Sequence, residues 1–428
     1  MPSKTVPEPH VIKFTNCRIV KGEDLIEQDV WIDSISGKIL RDQEAFYGLH
    51  LSPDEVIDLG GRILAPGLID CQLNGAQGFD FSVPQSSKNE YDEGLRLVNK
   101  GLAQTGVTSY LPTVVSSTPE VYHKVLQSLG PSDGKHRSED GAESLGAHIE
   151  GPFLSPGRNG IHKTAVLRSA NNPSDLVECY GRENLYGPSK SVRLITAAPE
   201  VGNMLSNIPH IVSQDIIYSI GHSDATYEQA FAATDHGATM ITHLFNAMRP
   251  FDHRNPGIFG LLGQQTEHPR RPFYGIIADG IHLHPTSIRI AYNAHPNGLI
   301  LVTDAMKLCG LPDGVYDWTN GERIIKAGPR LTLEGSDKIA GSSATLIECV
   351  NNFRRWSGAS TAQALNAATA TPARLLGLQG VKGSLVSGAD ADLIVLSDEE
   401  DAGCTLMVNQ VWKRGSKIYD FGKDAILN

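Results

Sequence analysis

A closed (β/α)8 barrel beside a small β domain built from both chain ends is the fold this sequence predicts, and three observations predict it. Eight short apolar, β-branched-rich runs lie between residue 63 and about residue 304, each reading as a strand buried on both faces, as in a parallel sheet. Helix-like stretches alternate with them, which is the pattern of an α/β fold. The two ends of the chain look instead like antiparallel strands joined at Gly and Asp turns. Eight alternations suit a closed barrel better than an open doubly wound sheet. A chain of 428 residues leaves room for a second domain beside a barrel of ~250 residues.

Taken in order, "VIKFTNCRIV", "EQDVWIDSISGKIL" and "EVIDLGGRIL" supply the first part of the small domain, over residues 1–64. The barrel is expected over 65–378, with strands in "RILAPGLID", "VTSYLPT", "SLGAHIE", "VRLITAA", "IIYSIGH", "TMITHLF", "YGIIAD" and "LILVTD". Between them, "EYDEGLRLVNKGLAQTG", "PEVYHKVLQSLG" and "TYEQAFAATDHG" close on Gly as helices commonly do, and "PTSIRIAYNA" is a further helix. After the eighth strand "DGVYDWTNGERIIKAG" reads as a hairpin excursion. "GSLVSGADADLIVLS" and "CTLMVNQVWKRGSKIYDF", within 379–428, complete the small domain.

Composition narrows the function. With 37 Lys+Arg against 48 Asp+Glu the net charge is −11, which argues against nucleic acid or an anionic membrane as partner, since both need a basic footprint. The six cysteines (Cys17, Cys71, Cys179, Cys309, Cys349, Cys404) are scattered without a C-x-x-C, so neither a disulfide framework nor a zinc knuckle is indicated. "MPSKTVPEPH" has no apolar core, and nowhere are there 18 consecutive apolar residues. The expected location is the cytoplasm, with no membrane span.

A barrel of this kind carries its chemistry at the C-terminal strand ends, where His148, Glu150, His222, His243, Asp279, His282 and Asp304 fall. In "GAHIEGPF", His148 and Glu150 are two apart and share a strand face. Glu150, His222 in "SIGHSDATY" and His243 in "MITHLFNAM" supply one carboxylate and two imidazoles, a set that suits zinc and leaves a position open for water. Asp304 in "LVTDAM" either caps a following helix or acts as general base toward that water. His282 in "ADGIHLHP" either hydrogen-bonds within its loop or steadies a developing oxyanion, while His284 reads as structural. Arg249, His253 and Arg254 in "FNAMRPFDHRNPGIFG" are either surface charge or a phosphate cradle, with the Asn246 amide placed to bond a polar ligand.

The runs "APGLIDCQLNG", "HIEGPF", "GIH", "GHSDATY", "THLFNAM", "ADGIH", "LVTDA", "IAGSS" and "ATATPARLLGL", in this order over residues 65 to 378, strongly resemble the N-acetylglucosamine-6-phosphate deacetylases of the amidohydrolase superfamily. The resemblance implies hydrolysis of the acetamide of N-acetylglucosamine 6-phosphate to glucosamine 6-phosphate and acetate, in amino-sugar catabolism and hexosamine salvage. It implies Glu150, His222 and His243 as ligands of one divalent metal per subunit, Asp304 as the proton-transferring acid/base, and His282 as a carbonyl-polarising, substrate-binding histidine. Ile161, His162, Asn246, Ala247, Arg254, Asp279, Gly280, Ile281, His282, Ile339, Ala340 and Gly341 are the implied substrate contacts, and a homodimer is implied because the phosphate-binding region can come from a neighbouring subunit. Zinc is the expected metal; cobalt, iron or manganese would also suit the donors.

Two departures bear on the metal count. Many relatives carry H-x-H after the first strand and bind two metals, whereas this chain has Gln72-Leu73-Asn74. No lysine closes the fourth strand in "RLITAAPE" to act as a carbamylated bridge. One metal is therefore expected, and the same features weigh against a cyclic-amide hydrolase on this barrel. A catalytically dead barrel has no chemical need for Glu150, His222, His243 and Asp304 together. With two histidines arriving from other strands, His148 is expected to support and orient the site rather than ligate.

Overall fold

The eight apolar runs form eight parallel strands in one ring. In the computed structural model, which describes residues 10–41, 48, 52–132, 136–264, 271–318, 322–399 and 405–424, these are β1 (Leu68–Leu73), β2 (Val107–Val115), β3 (Ala147–Glu150), β4 (Val192–Ala197), β5 (Ile217–Ile220), β6 (Met240–Ile241), β7 (Phe273–Ile277) and β8 (Leu299–Val302). Each pairs in parallel with the next. The ring closes between β8 and β1 through the Leu73–Ala305 bridge, the Asp304 N–H donating to the Gln72 carbonyl at 2.8 Å and the Asn74 N–H donating to the Ala305 carbonyl at 2.9 Å. Cys404 and the outermost residues of the expected small domain lie outside the described residues.

The intervening segments are helical for local reasons. Lys88–Gln104 starts where Ser87 accepts the Glu90 N–H, and Tyr227–Asp235 starts at a Thr226/Gln229 capping box. Pro285–Ala294 is capped by His284, whose Nδ1 accepts the Thr286 N–H at 3.2 Å. That residue is structural, as its sequence position suggested.

One end of the barrel is filled with hydrocarbon. Ile69, Cys71, Leu111, Leu194, Met240, Ile300 and Val302 form an interior cluster that Ala373, Leu375 and Leu376 pack against. That cluster seals the N-terminal side and leaves polar side chains to the C-terminal mouth.

The run "RILAPGLID", expected as one strand, serves two sheets. Ile63–Pro66 pairs antiparallel with Leu393–Glu399 and parallel with Arg18–Lys21 in a six-stranded sheet, and the chain enters the barrel only after Gly67. A Cβ at Gly67 would stand 2.1 Å from Thr108 Oγ1, so only glycine passes this junction. Val11–Thr15, Val30–Asp33, Lys38–Leu40 and Glu55–Asp58 make a second, four-stranded sheet. Ile12, Phe14, Ile32 and Ile39 from the first part of the chain pack with Leu393, Val395 and Trp412 from its last part. After β8, the expected hairpin is a four-stranded antiparallel sheet (Gly314–Asp317, Arg323–Ala327, Arg330–Leu333, Ile339–Ser342) with a small core at Leu308, Ile324 and Leu331.

A buried ionic cluster fastens the small domain to the barrel. Lys413 Nζ lies 2.6 Å from Glu143 Oε1, 2.7 Å from Asp392 Oδ2 and 2.9 Å from the Thr108 carbonyl. Lys382 Nζ lies 2.5 Å from Glu143, 2.9 Å from Asp390 and 2.8 Å from Asp392.

Candidate active site

The backbone is unusual at three of the candidate residues. Beyond the ends of β5, β6 and β8, His222 (φ 49°), His243 (φ 28°) and Asp304 (φ 48°) all sit in the left-handed region, as do Phe245 and Ala247. Non-glycine residues cost roughly 1–3 kcal/mol each there and persist only where their surroundings hold them.

Glu150 at the end of β3 is the hub. Its Oε1 is 3.0 Å from His243 Nε2 and 3.3 Å from His222 Nε2, and the two ring nitrogens are 3.0 Å apart. Donors about 2.05 Å from a tetrahedral cation are spaced about 3.3 Å from one another, so these three atoms have the spacing of a metal's ligand set. The His222 tautomer agrees: Nδ1 is 2.8 Å from the Arg158 carbonyl, which can only accept, so the proton is on Nδ1 and Nε2 presents its lone pair. His243 Nδ1 is buried without a partner among the described residues. In this group a proton on His243 can supply positive charge. Burial opposes it, but Glu150 more than compensates and raises the imidazole pKa; the same histidines hold Glu150 well below the ordinary carboxylate range against its own burial.

His162 is a fourth group at this point, with Nε2 3.7 Å from Glu150 Oε2 and its ring packed edge-on against that of His222. Glu150, His162 and His222 are close enough together to be a ligand set themselves. The hydrogen bonds argue otherwise. His162 Nδ1 accepts the Ser116 backbone N–H at 3.1 Å, so in the neutral ring the proton is on Nε2, which faces the site as a donor. His243 is the better third ligand.

Asp304 does not cap a helix. Its Oδ1 accepts from Asn74 Nδ2 at 2.7 Å, while burial foremost, and then the charge of Glu150, raise its pKa to about 6, partly offset by His243, His282 and Asn74. Asp279 accepts from the Ile281 N–H, the His282 N–H and His282 Nδ1 at 2.8 to 2.9 Å. Burial alone would lower the His282 pKa, but the bond to Asp279 and its charge raise it. Nδ1 is thereby committed and Nε2 is left for a ligand.

A family model, described as the amidohydrolase family, matches residues 63–418. The chain belongs to the amidohydrolase family. It is 43% identical over 420 residues to the N-acetylglucosamine-6-phosphate deacetylase of Danio rerio, covering 97% of this chain and 100% of that protein. Among solved structures it resembles the N-acetylglucosamine-6-phosphate deacetylase of Pasteurella multocida, with TM-score 0.78, 26% identity and coverage of 95% and 99% of the two chains. It also resembles an Asp-to-Ala variant of the Mycobacterium smegmatis enzyme in complex with N-acetyl-D-glucosamine-6-phosphate, with TM-score 0.76, 28% identity and coverage of 96% and 100%. Within the family the chain therefore stands among the N-acetylglucosamine-6-phosphate deacetylases.

The other residues singled out in this amidohydrolase sequence are distributed unevenly. Ile161 and Ile339 are 64% and 44% exposed; Ala340 and Gly341 are half-buried in the strand Ile339–Ser342, and Gly280 is exposed on a loop. Asn246 is half-buried and donates weakly to the His243 carbonyl at 3.3 Å, with Ala247 next to it. The basic cluster does not stay together. Arg249 is committed to Asp224, with Nη2 2.8 Å from its Oδ2, and Asp224 also pairs with Arg158. His253 sits 3.7 Å from Asp252, and Arg254 is exposed. His148 does not bond to Glu150: its Nδ1 lies 3.2 Å from the Cys71 carbonyl and its Nε2 2.7 Å from Thr196 Oγ1, in a chain continuing to Thr242 and Ser219. It supports β3 to β6 beneath the site rather than the ligand itself. Sequence reasoning missed the amides of Gln72 and Asn74, which reach Glu150 and Asp304. Their spacing of two at the end of β1, the same as His148 and Glu150 at the end of β3, was the available signal.

Proposed function

We infer that this chain hydrolyses the acetamide of N-acetyl-D-glucosamine 6-phosphate to D-glucosamine 6-phosphate and acetate, with Glu150, His222 and His243 as the ligands of one divalent metal, zinc fitting the donors best. The observation that carries the assignment is the mutual approach of Glu150 Oε1, His222 Nε2 and His243 Nε2 to 3.0–3.3 Å, with the lone pair of His222 Nε2 facing the carboxylate oxygen. When bound, a divalent cation supplies a Lewis acid and lowers the pKa of water toward ~7. Asp304 takes a proton from the attacking water and returns it to the sugar nitrogen as the C–N bond breaks, so the hydroxyl remains on the acyl carbon as acetate. His282, whose pKa Asp279 raises, donates from Nε2 to the acyl or a sugar oxygen when it is protonated. Its neighbours Gly280 and Ile281, together with Ile161, His162, Asn246, Ala247 and, from the strand Ile339–Ser342, Ile339, Ala340 and Gly341, frame the sugar.

Arg254 is exposed, which suits a phosphate site completed in a homodimer. Cys17, Cys71, Cys179, Cys309 and Cys349 are buried free thiols, which suits a reducing, cytoplasmic setting. Among the described residues no helix is long and apolar enough to cross a membrane.

The test is release of free amine from N-acetyl-D-glucosamine 6-phosphate and from its unphosphorylated counterpart, before and after chelation. Turnover that prefers the phosphorylated sugar, disappears on chelation and returns with zinc is expected. Turnover unaffected by complete metal removal would refute the ligand assignment, and absence of free amine with metal present would refute the activity.

A further inference from the structure

Asn74 follows the last residue of β1, at the seam where the barrel closes, and is buried. Its Nδ2 donates to Asp304 Oδ1 at 2.7 Å and to the Asp304 main-chain carbonyl at 3.2 Å. The carbonyl can only accept, so the amide cannot be the other way round whatever the protonation of Asp304. Its own Oδ1 is left buried without a partner among the described residues. One amide group thus spans the side chain and backbone of a single residue, fixing the carboxylate relative to its own strained main chain. The two backbones are also tied on either side, Asp304 N–H to Gln72 O and Asn74 N–H to Ala305 O. Two residues earlier on the same strand face, Gln72 Nε2 donates to Glu150 Oε1 at 2.9 Å. The amides of Gln72 and Asn74 therefore hold the carboxylates of Glu150 and Asp304 respectively.

We propose that Asn74 is a positioning residue for the hydrolysis: it commits Asp304 Oδ1 permanently and leaves Oδ2 as the oxygen that takes and returns the proton. The inference rests on Asp304 being the acid/base. A carboxylate free to rotate would present either oxygen, or neither, to the water and later to the amine; holding one oxygen keeps the other in reacting geometry.

The experiment compares kcat and KM for N-acetyl-D-glucosamine 6-phosphate, bound metal and Tm in the wild type, Asn74→Leu, Asn74→Ser and Asp304→Asn. Asn74→Leu conserves volume and removes the donors; kcat should fall about 10- to 100-fold, the range for losing a hydrogen bond to a charged group. KM should stay within about twofold, with metal content unchanged. Asn74→Ser retains one donor and should lie between Asn74→Leu and the wild type. A kcat for Asn74→Leu within about twofold of wild type, a rise in KM alone, or a loss that tracks missing metal overturns the proposal. If Asn74→Leu does not fold, Asn74→Ser decides: lower kcat at constant KM supports the role and unchanged kcat overturns it. Should Asp304→Asn keep full turnover, the reading of Asp304 fails, and the proposal with it; Asn74→Leu at wild-type kcat beside an inactive Asp304→Asn removes only the Asn74 step.

Discussion

A cluster of buried acidic and basic groups at the barrel mouth and another where the small domain meets the barrel differ in a way that separates function from architecture. Glu143, Asp390 and Asp392 approach one another as closely as metal ligands do, yet the ammonium groups of Lys382 and Lys413 sit among them at 2.5–2.9 Å. That cluster contains its own cations. At the mouth, Glu150 Oε1, His222 Nε2 and His243 Nε2 converge, and among the described residues no lysine or arginine is bonded to them. Proximity of carboxylates alone does not identify a metal site; the sign of what lies between them does.

The sharpest way to break the comparison is at the mouth. Asp304→Asn should lower kcat by about 10³- to 10⁴-fold, the upper range for a group serving as both base and acid, while bound metal and thermal midpoint stay near wild type. Loss of metal along with activity would mean that Asp304 belongs to the ligand set. At the other cluster the pattern should invert. Lys413→Met leaves Glu143 and Asp392 short of a cation and should destabilise the fold by roughly 3–5 kcal/mol, the cost of leaving a buried charge unpaired, with kcat of the folded fraction unchanged. Equilibrium unfolding in urea measures the first and active-site-normalised kinetics the second.

A smaller effect is expected from pH. Burial pushes Glu143 up, but Lys413 and Lys382 overcome it and hold its pKa at about 2, and the same lysines depress Asp392. Carboxylates with depressed folded pKa values contribute stability that is complete above their unfolded values near ~4 and is lost as pH falls toward the folded ones. The urea midpoint should therefore be level from about pH 5 to 8 and decline below about pH 4, more shallowly in Lys413→Met. An equally steep acid decline in that variant would show that other carboxylates set the acid limit.

The two clusters also differ in how far the sequence reveals them. Glu150, His222, His243 and Asp304 each follow an apolar run at a strand end, and a barrel brings such positions together whatever lies between. The strands themselves are legible because parallel strands buried on both faces need uninterrupted apolar residues. The ionic cluster joins Glu143 to Lys382 and Lys413 across 239 and 270 residues, with no periodicity to announce it. The junction at Gly67 is hidden because Ile63–Pro66 runs into the apolar start of β1 and both strands are fully buried; only the approach of Thr108 marks it. Arg249 resembled a ligand for phosphate because its partner Asp224 comes from a different loop. Which ring nitrogen His162 turns to the site is not legible in the sequence, because tautomers are set by neighbours, here Ser116, and not by spacing.

The place of Ile63–Pro66 in the six-stranded sheet has a consequence for how the chain is made. Its partner Leu393–Glu399 is synthesised more than 300 residues later, and until then one edge of an entirely buried apolar strand has no neighbour. Unpaired strand edges of this kind recruit other chains. A polypeptide interrupted after the barrel but before residue 393 would hold every residue of the mouth and still expose an adhesive edge, so premature termination here yields aggregation rather than a smaller working enzyme.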